Sequence, residues 1–203
     1  MPYRRTAFTE ARKAETRRRL VEVARRMVFE TGFQGIQIAA VATAAGVAVG
    51  TVYRYFPAKA DLVVEVYRLV CDREIAVMQA IAGGKQAPSV RLDALVRATA
   101  GRALQAGRSG YALVAEPVDA ALDAERIVYR QALADAFRTV IEDGVASGDF
   151  TLARPDLTAT GIVGAILEAL VTPLSPGGTM PDADADKLLD GLAAFCRRAV
   201  GQR

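Results

Sequence analysis

The chain has 203 residues, 52% of them hydrophobic, carries a formal charge of +3 and contains no histidine. That length and apolar content allow a real core, so the composition is not that of a disordered chain. The missing histidine excludes Ser-His and Cys-His nucleophiles and removes the commonest general base and metal ligand.

The first helix is expected over about 9–31, with Leu20, Val23, Ala24, Met27 and Val28 at helical spacing and Gly32 as its stop. Two short helices follow, at about 38–45 and 49–56, joined by a turn at Gly46. Pro57 ends the second of them and suits the start of a long helix over about 58–81. Pro88 opens a fifth helix that stops at Gly107, and a short sixth covers about 111–115. The seventh runs over about 119–147 and stops at Gly148. The eighth, about 155–171, is apolar nearly all round, with Gly161, Gly164, Ala165 and Ala169 among bulky Ile and Leu. The ninth, about 182–200, has acids at its start and Arg197-Arg198 at its end, both matched to the helix dipole. No strand period stands out, so the fold class is all-α.

Charge is placed unevenly along these elements. Residues 1–60 hold 11 Lys and Arg against 4 Asp and Glu, and residues 61–203 hold 15 against 19. A basic head on an acidic remainder suits one end to a polyanion. No apolar run reaches the ~18–20 residues of a membrane span; the nearest, 162–171, contains Glu168. The N-terminal MPYRRTAFTEARK lacks the apolar stretch of a signal peptide. Cys71 and Cys196 lie far apart in helical patterns, so a disulfide framework is not expected and a cytoplasmic setting is.

The densest information lies in 38–62. Ala42 is small enough for a second helix to cross closely, Gly46 suits a turn needing positive φ, and Val47 and Val52 are apolar plugs beneath it. Thr51, Tyr53, Arg54 and Tyr55 crowd the next helix with hydroxyls and a guanidinium, the pattern of a helix-turn-helix whose second helix enters the major groove. Gly46-Val47-x-x-Gly50-Thr51-Val52-Tyr53-Arg54-Tyr55-Phe56-Pro57-x-Lys59-x-x-Leu62 resembles the signature of the TetR family of one-component transcriptional regulators. The resemblance covers roughly 13–73, and divides the chain into a flexible basic arm (1–12), a DNA-binding domain (13–73, helix-turn-helix about 36–55) and a ligand-binding and dimerisation domain (74–203).

The resemblance implies phosphate contacts from Lys59, Tyr53 and Tyr55. Neighbours at i and i+2 diverge on a helix, so at least one of the two phenols is exposed. Thr51 suits a phosphate or a thymine methyl. Two readings stay open for Arg54, a bidentate contact to guanine and a phosphate clamp. Val49 and Gly50 offer apolar or backbone contacts, so base reading falls on few side chains. Arg4 and Arg5 form either an arm reaching the DNA or a frayed tail. Gln37 stands where the family usually has a threonine cap, and an amide caps less well than a hydroxyl.

For the second domain the resemblance implies an inducer cavity among helices four to eight, and a homodimer built through 155–171 and 182–200 as a four-helix bundle. Candidate pocket residues are Arg102, Tyr111, Glu116, Arg126, Tyr129, Arg130 and Phe137. Arg126, Tyr129 and Arg130, with Glu116, read either as an anion site or as a structural salt bridge with surface arginines. The abundance of Ala, Val, Leu and Ile points to a largely apolar ligand. No cofactor and no metal are expected. The function these features imply is that of a homodimeric repressor released from a palindromic operator by a small molecule, with activation as the alternative sign. An enzyme with an accessory DNA module lacks a phosphate loop or paired carboxylates, and a protein-binding scaffold leaves the basic head without a purpose.

Overall fold

This computed structural model describes residues 7–178 and 180–202. Among them the chain forms α1 (Ala7–Thr31), α2 (Ile38–Ala44), α3 (Val49–Tyr55), α4 (Lys59–Ala82), α5 (Pro88–Ala106), α6 (Arg108–Val114), α7 (Ala120–Ser147), α8 (Pro155–Leu174) and α9 (Asp182–Ala199), and no strand.

Three elements depart from the sequence-based expectation. α1 begins at Ala7 and takes in residues 7–12 of the segment read as a flexible arm. Alanine and long straight side chains are good helix formers, Glu10 places an acid in the first turn, and Lys13 pairs with it at 3.4 Å. Arg4 and Arg5 lie outside the described residues. α6 starts at Arg108, directly after α5. Gly107 alone makes the turn, and the Ser109 hydroxyl donates to the carbonyl of Ala106 at 3.0 Å. α8 continues through Pro173 to Leu174, which makes it a 20-residue helix with mean hydropathy 1.7, long and apolar enough to cross a membrane. Proline so close to the end forfeits only one helical hydrogen bond. The helix instead packs on α5, α6 and α7, and Ile162, Val163, Ile166 and Leu170 are buried among them.

Apolar side chains gather in two cores. The first holds Leu20, Ala24 and Val28 of α1, Val41 and Ala42 of α2, Val52 of α3, and Leu62, Val66 and Tyr67 of α4. Ala112 of α6 and Leu122 of α7 join it, so the head is keyed into the rest of the molecule. The second core holds Met78 and Ala82 of α4 with Leu92, Leu95 and Val96 of α5, Phe137, Val140 and Ile141 of α7, the buried face of α8, and Leu192 and Cys196 of α9. Each fully buried Leu, Ile, Val or Phe contributes roughly 1.5–3 kcal/mol.

One buried cation ties the far end together. Arg91 is 6% exposed; it donates to the carbonyls of Ala82 and Gln86 and to the Asp143 carboxylate at 2.8 Å, joining α4, the loop after it, α5 and α7. Replacing Arg91 with Met leaves two carbonyls and a carboxylate without their donor. The loss expected is about 1.5–3 kcal/mol, seen as a lower urea midpoint at unchanged slope. Cys71 and Cys196 are both buried, and burial pushes each thiol up to about 12. Neither should react with iodoacetamide at pH 8 in the folded chain, and both should react once it is unfolded. Labelling of the native chain at the rate of a free thiol would contradict that burial.

Candidate nucleic-acid interface

The turn between α2 and α3 is built by backbone hydrogen bonds around one glycine. Gly46 has φ +65°; its N–H donates to Thr43 O and the next N–H, of Val47, donates to Ala42 O, both at 3.0 Å. This is the Schellman arrangement, with glycine at the left-handed position and Val47 folding back as its apolar partner. The chain bends by 104° between α2 and α3, within the range that lets the second helix of a helix-turn-helix stand clear.

Burial then sorts the side chains of α3. Val52 and the following Phe56 are sealed into the first core, at 0% and 1% exposure. Val49, Gly50, Tyr53 and Arg54 are exposed and form one ridge, spaced i, i+1, i+4, i+5. Thr51 and Tyr55 are half-buried at its edges, and Tyr55 packs against the first core. Tyr53, at 46% exposure, is thus the outward phenol, while the Arg54 guanidinium lies 5.7 Å from the centre of the Tyr55 ring. Gln37 occupies the N-cap of α2 and its side chain makes no cap hydrogen bond. Its carbonyl accepts the Val41 N–H at 3.0 Å, and the amide points to an exposed position. Lys59 opens α4 beside the ridge, exposed, with its Nζ 3.3 Å from the carbonyl of Gln34.

Electrostatics single out the same ridge. Much of the positive excess on α1 is neutralised in place: Arg17 pairs with Glu65, Arg18 with Glu15, and Arg25 and Arg26 with Glu22. Among the described residues no carboxylate pairs with Arg54 or Lys59. Two uncompensated cations therefore flank an exposed phenol on a helix that stands away from the body, an arrangement suited to phosphates and groove edges.

Of the seven side chains proposed from sequence for a ligand pocket, the structure brings two to one cleft. Tyr111 and Glu116 help line a cleft of about 770 Å³ bounded by the end of α5, α6, the α8–α9 loop and the start of α9. Gly32 and Gln34, from the turn after α1, complete its wall. No residue of α4 or α7 lines it, because the space between those helices is filled by packed side chains such as Tyr67, Leu122 and Phe137. Phe137 is wholly buried in the second core. Arg102 is held away by Glu74 at 2.6 and 2.7 Å. Arg130 is exposed and lines a separate groove of about 320 Å³ between α7 and α8. Tyr129 stands edge-on to Tyr67 with centroids 6.3 Å apart, and burial raises both phenols. Arg126 is buried and donates to the carbonyls of Glu116 and Ala112 at 2.7 and 3.1 Å, so it serves backbone groups and not the Glu116 carboxylate. That carboxylate instead accepts the N–H groups of Phe33 at 2.8 Å and Gln34 at 3.3 Å. Sequence reading missed Gln34 and Arg108 in this cleft. Nothing local marks them, since the cleft forms only when segments some 80 residues apart meet.

Comparison with known proteins agrees with this geometry. The family described as "Bacterial regulatory proteins, tetR family" matches residues 20–66, from α1 through the helix-turn-helix into α4. The chain is 29% identical over 142 residues to the HTH-type transcriptional repressor KstR2 of Rhodococcus jostii, spanning 68% of this chain and 69% of that one. It is 38% identical over 84 residues to the HTH-type transcriptional repressor KstR of Mycolicibacterium smegmatis, 40% of each chain. The fold matches that of the transcriptional regulator FadR from Bacillus subtilis, solved in complex with stearoyl-CoA, with a TM-score of 0.73 at 18% identity, covering 88% of this chain and 96% of that one. The helix-turn-helix and the family match across it lead to one conclusion: residues 20–66 form a DNA-binding region of the TetR type, and the chain is a DNA-binding transcriptional regulator.

Proposed function

We propose that the protein is a homodimeric repressor that binds a palindromic operator and is released from it by a small molecule held in the α5–α6–α9 cleft. The observation that carries this is the α3 ridge, Val49, Gly50, Tyr53 and Arg54, exposed beside Lys59, with no carboxylate among the described residues to compensate the two cations. Tyr53 and Lys59 hold phosphates, Thr51 and Tyr55 support them from the edges of the ridge, and Arg54 reads a base edge. The relatives named above are repressors, which supports that sign of regulation. Such a protein works on chromosomal DNA, in the cytoplasm.

The dimer is assigned to α8 and α9. Leu157 is 62% exposed on α8 and Phe195 43% exposed on α9. A Cβ built at Gly161, Gly164 or Gly191 would meet nothing, so these glycines face open space in a single chain and leave room for a close helix approach. The ligand is expected to be largely apolar. Leu104, Tyr111, Leu174, Met180 and Leu189 line the cleft, and Arg108 and Gln105 add polar groups at its wall.

Selection from a random DNA pool at fixed salt should enrich a palindrome whose half-sites lie about one helical turn apart. Tyr53→Phe and Lys59→Ala should then weaken binding on all sequences alike, and Lys59→Ala should lower the slope of log affinity against log salt by about one. Arg54→Ala should relax a single operator position, at roughly 1–3 kcal/mol. Uniform loss on every sequence would move Arg54 to a phosphate. For the dimer, Gly164→Glu should give a folded monomer in light scattering with operator affinity lost; a variant that remains dimeric would remove α8 from the interface.

A further inference from the structure

We propose that Glu116 is the latch through which the cleft controls the DNA-binding head. This rests on the ligand-responsive reading above and adds the element that transmits the response.

The latch is built from both sides. Glu116 follows the last turn of α6, where its N–H donates to Tyr111 O at 3.0 Å and its carbonyl accepts Arg126 from α7 at 2.7 Å. The residue is therefore pinned to α6, which lines the cleft, and to α7 behind it. Its carboxylate reaches across to the head and accepts the N–H groups of Phe33 and Gln34, 83 and 82 residues away. Gly32 makes the room for it. Its φ is +76°, and a Cβ there would lie 2.5 Å from the carboxylate oxygen, so a side chain at that position would evict the acid. A carboxylate accepting backbone N–H groups makes charge-assisted hydrogen bonds, stronger than neutral ones.

Gln34 passes the connection on. Its amide nitrogen donates to Pro117 O at 2.7 Å, its carbonyl accepts from Lys59, and the residue itself lines the cleft. Cleft wall, carboxylate, the turn after α1 and the cation at the start of α4 thus form one contiguous set of hydrogen bonds. A molecule that displaces the end of α6 must either drag the turn with it or break the two N–H contacts. These are two discrete arrangements of one element, which is what coupling between sites requires.

The test replaces the unidentified ligand with a covalent filler, so that ligand affinity does not enter. Gln105 is exposed on the cleft wall, and both native thiols are buried, so Gln105→Cys reacts with N-phenylmaleimide at one place. Operator affinity is measured for the labelled and unlabelled chain, with Glu116, with Glu116→Gln and with Glu116→Asp. Gln presents one acceptor oxygen and a second donor to the two N–H groups; Asp keeps the charge but withdraws it by one methylene. With Glu116 in place the adduct should weaken operator binding roughly tenfold, within the usual range of coupling between sites. In either variant that ratio should fall to about twofold or less, a loss of most of the coupling. In the Glu116 chain, labelling should also speed hydrogen exchange at the Phe33 and Gln34 N–H groups, a readout that needs no variant at position 116.

An adduct that weakens binding equally in all three chains would overturn the latch and leave the cleft as the control site. An adduct without effect in any of them, although operator binding is intact, would overturn the latch together with control by the cleft. Absence of operator binding in the unlabelled Glu116 chain would instead locate the failure in the DNA-binding reading.

Discussion

The burial of α4 in two cores at once is the constraint on which the molecule depends. One 24-residue helix supplies Leu62, Val66 and Tyr67 to the first core and Met78 and Ala82 to the second. Tyr67 sits where the two meet, 5.6 Å from the Phe33 ring and 6.3 Å from the Tyr129 ring. Its ring is therefore packed on one side by the turn that precedes the helix-turn-helix and on the other by α7. Charged pairs clasp the outside of the same helix: Arg68 to Glu125 of α7, and Glu74 to Arg102 of α5. Exposed pairs of this kind contribute little each. Their role is to fix the register of a helix whose apolar positions already hold it in place. A rigid helix shared between two cores cannot shift in one without shifting in the other.

The same economy governs charge. A run of arginines on α1 suggests a broad basic face, yet most of those that the structure describes are returned to local carboxylates within the head. Among the described residues of the head, those left without a carboxylate include Arg19 on α1, Arg54 on the exposed ridge and Lys59 at its side. Few cations give a modest number of phosphate contacts for each head. Under the dimeric reading, tight binding then depends on two heads acting together at a fixed spacing. The open glycine-bearing faces of α8 and α9 are where that spacing is set under the dimeric reading.

Legibility followed the range of the interactions. The helix-turn-helix could be read because its signals are local: Gly46 at the turn, Val52 beneath it and Tyr53 outside all act within a dozen residues. Helix boundaries were readable for the same reason, with Gly32, Gly107 and Gly148 ending their elements where expected. The pocket was not. Arg126, Tyr129 and Arg130 lie within five residues of one another on one helix, yet they go to a pair of backbone carbonyls, an aromatic contact and an exposed groove, because their neighbours come from other elements. Phe195 shows the same limit. Its spacing with Leu192 and Cys196 reads as one stripe, but Leu192 and Cys196 turn inward while Phe195 stands outside.

Glu116 is the sharpest case, because its sequence environment points the wrong way. An acid between a short helix and Pro117, ten residues before an arginine, invites the reading of an intrachain salt bridge. The two residues do meet, but through the Glu116 carbonyl, which leaves the carboxylate uncommitted among the helices that follow α4. A carboxylate that is 8% exposed must find donors, and those available are the free N–H groups of the turn after α1. The need to satisfy a buried charge thus adds a polar joint beside the apolar contacts that Ala112 and Leu122 make with the first core. A hydrogen-bonded joint has a property that an apolar one lacks. Its strength depends on angle as well as distance, so under the latch reading a tilt of α6 that keeps its apolar contacts can still change how the head is held.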